Sequence, residues 1–180
     1  MTEITAKTSM QEIAVRVSEA LERAGIPAVL SGGGAVSQYS DNEYMTTDLD
    51  FITVASNKVI APVVAELGFT SVGKDFHHRD SRFFVEFPAG PLSFGDRYVG
   101  SSETTTLNTP HGSLRIITPT QCVLDRLAWL VHGKDPQSRD QAIMVAKHQH
   151  IEWEDVLAWA ANEGIADEVV KGIRKAAESD

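Results

Sequence analysis

Cysteine is nearly missing from the chain. Cys122 is the single example, which excludes an internal disulfide framework and a zinc ribbon and fits a reducing compartment. Basic residues are also scarce. Sixteen Lys and Arg stand against 25 Asp and Glu, a formal net charge of -9, so a general grip on nucleic-acid backbones, which needs clustered cations, is not expected. No apolar run approaches the roughly 18 residues of a membrane span. The opening MTEITAKTSM lacks the apolar stretch of a signal peptide, so a cytoplasmic location with no membrane partner is expected. Internal repeats and low-complexity tracts are absent too. What remains is 42% hydrophobic content over 180 residues, enough for one ordinary core or a core with a small satellite.

Ser9 and Glu12 have capping-box spacing, and Met10, Ile13, Ala14, Val17 and Leu21 then recur on one helical face as far as Gly25, which predicts an amphipathic helix. Residues 26 to 30 read as a short buried strand ending in a tight turn at Ser31-Gly32-Gly33-Gly34, with a helix over 35 to 40. Residues 46 to 54 read as a second strand, 58 to 67 as a helix, and 79 to 87 as a third strand in which Phe83, Val85 and Phe87 oppose Arg82, Phe84 and Glu86. A hairpin over 104 to 108 and 113 to 117 follows. Thr118 and Gln121, with Pro119 between them, signal the start of a helix, and three more helical segments run to the C-terminus. The chain thus divides into an α/β part, residues 1 to 117, and a helical part, 118 to 180, packed together.

Two features carry a cost that asks for a functional explanation: three successive glycines, and Asp48-Leu49-Asp50 inside an apolar run. Residues two apart on a strand project alike and sit roughly 7 Å apart at Cα, so both carboxylates converge on one point. Two anions that close resist ionisation unless a cation is present. All-oxygen ligation points to a hard ion, Mg2+ or Mn2+, shared with substrate phosphates, and Glu86 has the strand parity to be a third ligand. Asp80 has the same parity, so the third carboxylate is a choice between the two. Glycines at a helix start let a phosphate approach unsatisfied N–H groups. The loop is neither a Walker A motif nor a dinucleotide fingerprint.

A strand, a glycine pair opening a helix and a strand with Asp-x-Asp together resemble the nucleotidyltransferase superfamily of DNA polymerase β-like enzymes. Its small bacterial members, antibiotic nucleotidyltransferases and toxins of abortive-infection toxin-antitoxin systems, are the most similar. The resemblance covers roughly residues 26 to 90. It implies an α/β (α+β) fold with a mixed sheet flanked by helices and a small C-terminal helical subdomain. It implies an NTP substrate, metal binding by Asp48, Asp50 and Glu86, and phosphate contacts from Gly32 and Gly33, with Ser31, Gly34 and Ser37 beside them. Many members carry serine after the first glycine, where this chain has Gly33; its nearest hydroxyls are Ser31 and Ser37. Basic residues on the C-terminal helices would meet the triphosphate. Arg126 and Arg139 are the candidates, with Lys134 and Lys147, and Arg139-Asp140 is similar to the toxin group's arginine-aspartate pair.

The activity so implied moves a nucleoside monophosphate from an NTP to a hydroxyl of a tRNA, a protein or a small molecule, with an antitoxin as an expected partner if the chain is a toxin. The rivals are a non-catalytic nucleotide- or partner-binding protein on the same fold and a metal-dependent phosphoesterase. His77-His78 and His148 with His150 lack zinc-ligand spacing and read as solvated loop residues. Cys122 reads as a packing residue. Trp129, Trp153 and Trp159 are expected to fill the interface between the two parts.

Overall fold

The computed structural model describes residues 3 to 179. Helix α1 (Met10–Arg23) starts where Ser9 Oγ accepts the Glu12 backbone N–H at 3.2 Å. Its inner face of Ile13, Ala14, Val17 and Leu21 is buried, and Gly25, with φ +70°, supplies the left-handed residue that ends it. Strand β1 (Val29–Ser31) is buried throughout. Helix α2 (Gly32–Tyr39) then begins at Gly32 rather than at Ala35, so the glycine run is the first turn of the helix and not a separate turn. Close packing explains the difference: a Cβ on Gly34 would lie 3.0 Å from Leu30 Cδ1 and 3.2 Å from Leu49 Cδ2.

Strand β2 (Asp48–Ile52) buries Leu49 and Phe51 and leaves Asp48, Asp50 and Ile52 half-buried on its other face. Helix α3 (Asn57–Ala65) leads into a hairpin, β3 (Phe69–Val72) and β4 (Asp75–His78), joined by Gly73-Lys74. This hairpin departs from the sequence expectation, because its outer positions Thr70, Val72, Lys74, Asp75 and His77 are exposed or half-buried and carry little apolar alternation. Strand β5 (Phe84–Glu86) is shorter than expected. The residues before it form a turn instead, in which the Asp80 N–H donates to His78 Nδ1 at 3.1 Å and the Phe83 N–H to Ser81 Oγ at 3.0 Å.

A two-stranded ribbon follows, β6 (Ser93–Phe94) and β7 (Arg97–Tyr98), then the hairpin β8 (Thr105–Thr109) and β9 (Gly112–Ile116). The main sheet has seven strands in the order β3-β4-β5-β2-β1-β9-β8. It is mixed: β2 pairs with β5, and β1 with β9, in parallel, and the other pairs are antiparallel. Four helices complete the chain: α4 (Pro119–Val131), α5 (Gln137–His148), α6 (Trp153–Asn162) and α7 (Asp167–Ala177). Thr118 and Gln121 cap α4 reciprocally. Helix α2 packs on β2, α4 and α5. One cluster of buried side chains runs from Ile4 in the N-terminal segment to Ile173 in α7.

The tryptophans divide. Trp159 is buried and donates its Nε1–H to the Phe94 carbonyl at 3.0 Å, whereas Trp129 is 53% exposed. His77 and His78 differ from a solvated loop as well, while His148 and His150 are exposed. His78 is buried edge-on to Phe69, and His77 stacks on Phe84 with ring centroids 4.9 Å apart. Burial pushes the Cys122 thiol well above its ordinary range, so it packs rather than reacts.

Tyr39 ties the end of α2 to the segment that leads from β9 into α4, its hydroxyl donating to the Ile117 carbonyl at 2.6 Å in a buried setting. Tyr39→Phe leaves that carbonyl without this donor and should cost about 1–2 kcal/mol, read by urea unfolding at constant m-value.

Candidate functional site

The strand order sets three carboxylates at one place. Asp50 pairs with Ser31 on one side and with Glu86 on the other, and Asp48 pairs with Phe84. Asp48 and Asp50 share a face, and the parallel register brings Glu86 of the neighbouring strand beside Asp50. Asp80 lies elsewhere, in the turn after β4, where it accepts from Arg79 Nε at 2.9 Å. The Thr46 hydroxyl donates to Asp48, and Lys74 Nζ donates to Glu86 Oε2 at 2.9 Å. Among the described residues no group of three His, Cys, Asp or Glu side chains stands assembled for an ion. Asp48 is met by a neutral hydroxyl only, while Glu86 is engaged by Lys74.

Asp50 is the strained member. Its carboxyl is pushed up to about 7, first by burial, then by the charges of Asp48, Glu86 and Asp125, with Arg126 pulling the other way. Such a group is an anion short of a cation, which a hard divalent ion would relieve.

The glycines make room for this carboxylate. Gly32 has φ +58°, and a Cβ there would fall 2.4 Å from Asp50 Oδ2, so the start of α2 presses directly on the aspartate. A Cβ on Gly33 would face Tyr44 and Thr46 at 3.3–3.4 Å. Together Ser31, Gly32, Gly33, Asp48 and Asp50 wall one side of a cavity of about 420 Å3. The opposite wall is helical: Asp125, Arg126 and Trp129 from α4, and Gln137 and Gln141 from α5. Arg126 is buried, held by Asp125 Oδ2 at 2.6 Å and Gln141 Oε1 at 2.8 Å, and its Nε has no partner.

Several residues singled out in the sequence stand apart from this cavity. Gly34 packs into the core, and Ser37 is buried in α2 with its Oγ unpartnered. Glu86 is beside Asp50 in the sheet without lining the cavity. Arg139 is exposed on α5 and paired with Asp140 at 3.6 Å; Lys134 and Lys147 are exposed. None of the three lines the cavity. His148 contacts Glu43 and His150 contacts Glu152. In contrast, Tyr44, Thr46, Trp129, Gln141 and Lys74 were not legible as site residues. Thr46 shares strand parity with Asp48, and Asp125-Arg126 is an adjacent opposite-charge pair; those were the available signals.

No family model matches the chain, and no curated protein matches its sequence. Solved structures do. An antigenic nucleotidyltransferase-like protein from Paracoccidioides brasiliensis is similar with TM-score 0.60 at 14% identity, over 96% of this chain and 94% of that one. The antibiotic-resistance protein ANT(2")-Ia, in complex with adenylyl-2"-tobramycin, gives TM-score 0.51 at 10% identity over 94% and 97% of the two chains. The lincosamide antibiotic adenylyltransferase LnuA, lincomycin-bound, gives 0.53 at 11% identity over 79% and 99%. The likeness is one of fold: the mixed sheet with its flanking helices is a nucleotidyltransferase fold.

The Asp50 shift has a definite sign. Folded Asp50 holds its proton more tightly than the unfolded carboxyl, so stability is lost as pH rises from about 4 through about 7. Asp50→Asn should therefore raise the melting temperature at pH 8 by about 2–8 °C, with the gain fading toward pH 4; thermal unfolding at both pH values checks this. Gly32→Ala should do the reverse, lowering stability at every pH, because its Cβ collides with Asp50 Oδ2 and the backbone is left-handed.

Proposed function

We propose, with the nucleotidyltransferase fold as premise, that the protein moves a nucleoside monophosphate from an NTP to a hydroxyl of a small-molecule acceptor, with Mg2+ or Mn2+ as cofactor. The observation that carries the reading is the register that sets Glu86 opposite Asp50, two residues from Asp48, against the glycine start of α2. Asp48 and Asp50 fit a hard divalent ion, since their donors are carboxylate oxygens and Asp50 is short of a counter-charge. Bound there, the ion would neutralise charge on the nucleotide and polarise its phosphates.

The chain's own groups do the rest. Backbone N–H groups at the start of α2 receive phosphate oxygens, with Gly32 and Gly33 leaving the backbone bare for close approach. Arg126, fixed by Asp125 and Gln141, turns a pinned guanidinium toward the charge that develops on the leaving pyrophosphate. The acceptor oxygen forms a bond to the α-phosphorus, and the bond from that phosphorus to the α–β bridging oxygen breaks. The acceptor proton passes to Glu86, and pyrophosphate leaves.

Three points support a small acceptor over tRNA or protein: the net charge of -9, a cavity of about 420 Å3 beside the aspartates, and coverage of nearly the whole length of neighbours whose bound molecules are antibiotics. One observation favours a second reading, a non-catalytic nucleotide-binding protein: Glu86 is engaged by Lys74.

Transfer of label from each α-phosphate-labelled NTP, with Mg2+ or Mn2+, is measured into tobramycin, lincomycin, whole-cell small molecules, tRNA and protein. Label in a small molecule, lost in Asp48→Asn/Asp50→Asn, is expected. Label in tRNA would replace the acceptor and favour the toxin-like reading. Nucleotide binding without label in any fraction would establish the non-catalytic reading. Arg126→Ala should lower transfer on the order of 10²-fold, measured with the same assay.

A further inference from the structure

The carboxylate cluster has three anionic members and, in contact, one mobile cation. Asp48 is met by a neutral hydroxyl. Asp50 feels Arg126 through space, but that guanidinium is already spent on Asp125 and Gln141. Glu86 alone has a cation in hydrogen-bond contact, Lys74 Nζ at 2.9 Å from Oε2.

The two partners differ in mobility. The Glu86 side chain is 19% exposed and sits on a central strand, while that of Lys74 is 79% exposed. Lys74 rides on the two-residue turn between β3 and β4, closed by the Val72–Asp75 pair and turned by Gly73 at φ +65°. A lysine at a hairpin tip leaves its partner at small cost, since an ion pair with one solvent-exposed partner is weak. The parallel register, meanwhile, keeps Glu86 beside Asp50 whatever Lys74 does.

We propose that Lys74 is a positioning residue that stands in for the divalent ion. It holds the Glu86 carboxylate while the site is empty of metal, competes with the ion for that carboxylate, and is displaced from it when the ion arrives. Lys74 thereby sets the ion affinity of the site and the availability of Glu86 as proton acceptor. This rests on the nucleotidyltransferase reading, that a divalent ion binds at Asp48 and Asp50 and draws on the Glu86 carboxylate beside them.

The test is Mn2+ binding followed by electron paramagnetic resonance on the full chain, with no nucleotide and no turnover. Lys74→Met keeps the apolar stem and removes the charge; Lys74→Arg keeps the charge. Lys74→Met should bind Mn2+ more tightly, by about 1.4- to 5-fold, the range of an exposed ion pair, and Lys74→Arg should restore wild-type affinity. Damage to the fold would weaken binding and cannot mimic this gain. Asp50→Asn separates the two claims. If wild type binds Mn2+ and Asp50→Asn does not, yet Lys74→Met equals wild type or binds more weakly, the role of Lys74 is overturned and the metal site stands. If wild type binds no Mn2+, or Asp50→Asn binds it equally well, the metal site at the aspartates falls and the role of Lys74 with it.

Discussion

The constraint on which the rest of the site depends is the crowding of carboxylates on one face of a sheet, where burial already disfavours charge. Asp50 takes the largest share, pressed by the start of α2 and flanked by Asp48 and Glu86. Folding alone has no reason to build this, and every neighbouring feature limits its cost. Gly32 removes the Cβ that would strike Asp50 Oδ2, a threonine hydroxyl serves Asp48, Lys74 serves Glu86, and Arg126 offsets Asp50 across the cavity. Stability spent in one place and recovered in part around it is the pattern of a binding site.

The helices that follow Ile117 earn their place through the same constraint. A sheet face carrying three carboxylates cannot be covered by an apolar layer, so α4 and α5 bring a polar wall: Asp125, Arg126, Gln137 and Gln141, with Trp129 left exposed beside them. Beneath the polar face, the apolar side of β2, with Leu49 and Phe51, joins the common core. The alternation along five residues of β2 thus divides the molecule into a cavity and a core.

How much of this could be read from the sequence follows from where each signal resides. Capping boxes at Ser9 and Thr118 are local, and both helices start where they predict. The Asp48-x-Asp50 parity is local too, and the strand displays it. The extent of the glycine turn was not legible, because its helical start depends on contact with Leu30, Leu49 and Asp50. Nor was the β3-β4 hairpin, whose outward face is polar, and with it went Lys74, which reaches Glu86 across twelve residues of sequence. Among the basic candidates, Arg126 and Arg139 look alike in sequence. Only the packing of α4 against α5 buries the first in the cavity wall and leaves the second in solvent. Pairings between strands and between helices are long-range facts, and a single sequence carries no direct trace of them.

The central claim is that these carboxylates are held together for a cation and its nucleotide. Thermal unfolding of the wild-type chain at pH 8, with and without saturating Mg2+ and ATP, tests it most directly. The account predicts a melting temperature higher by about 5–10 °C at a hundred times the dissociation constant. An unchanged melting temperature with Mg2+ and each of the four NTPs would contradict it.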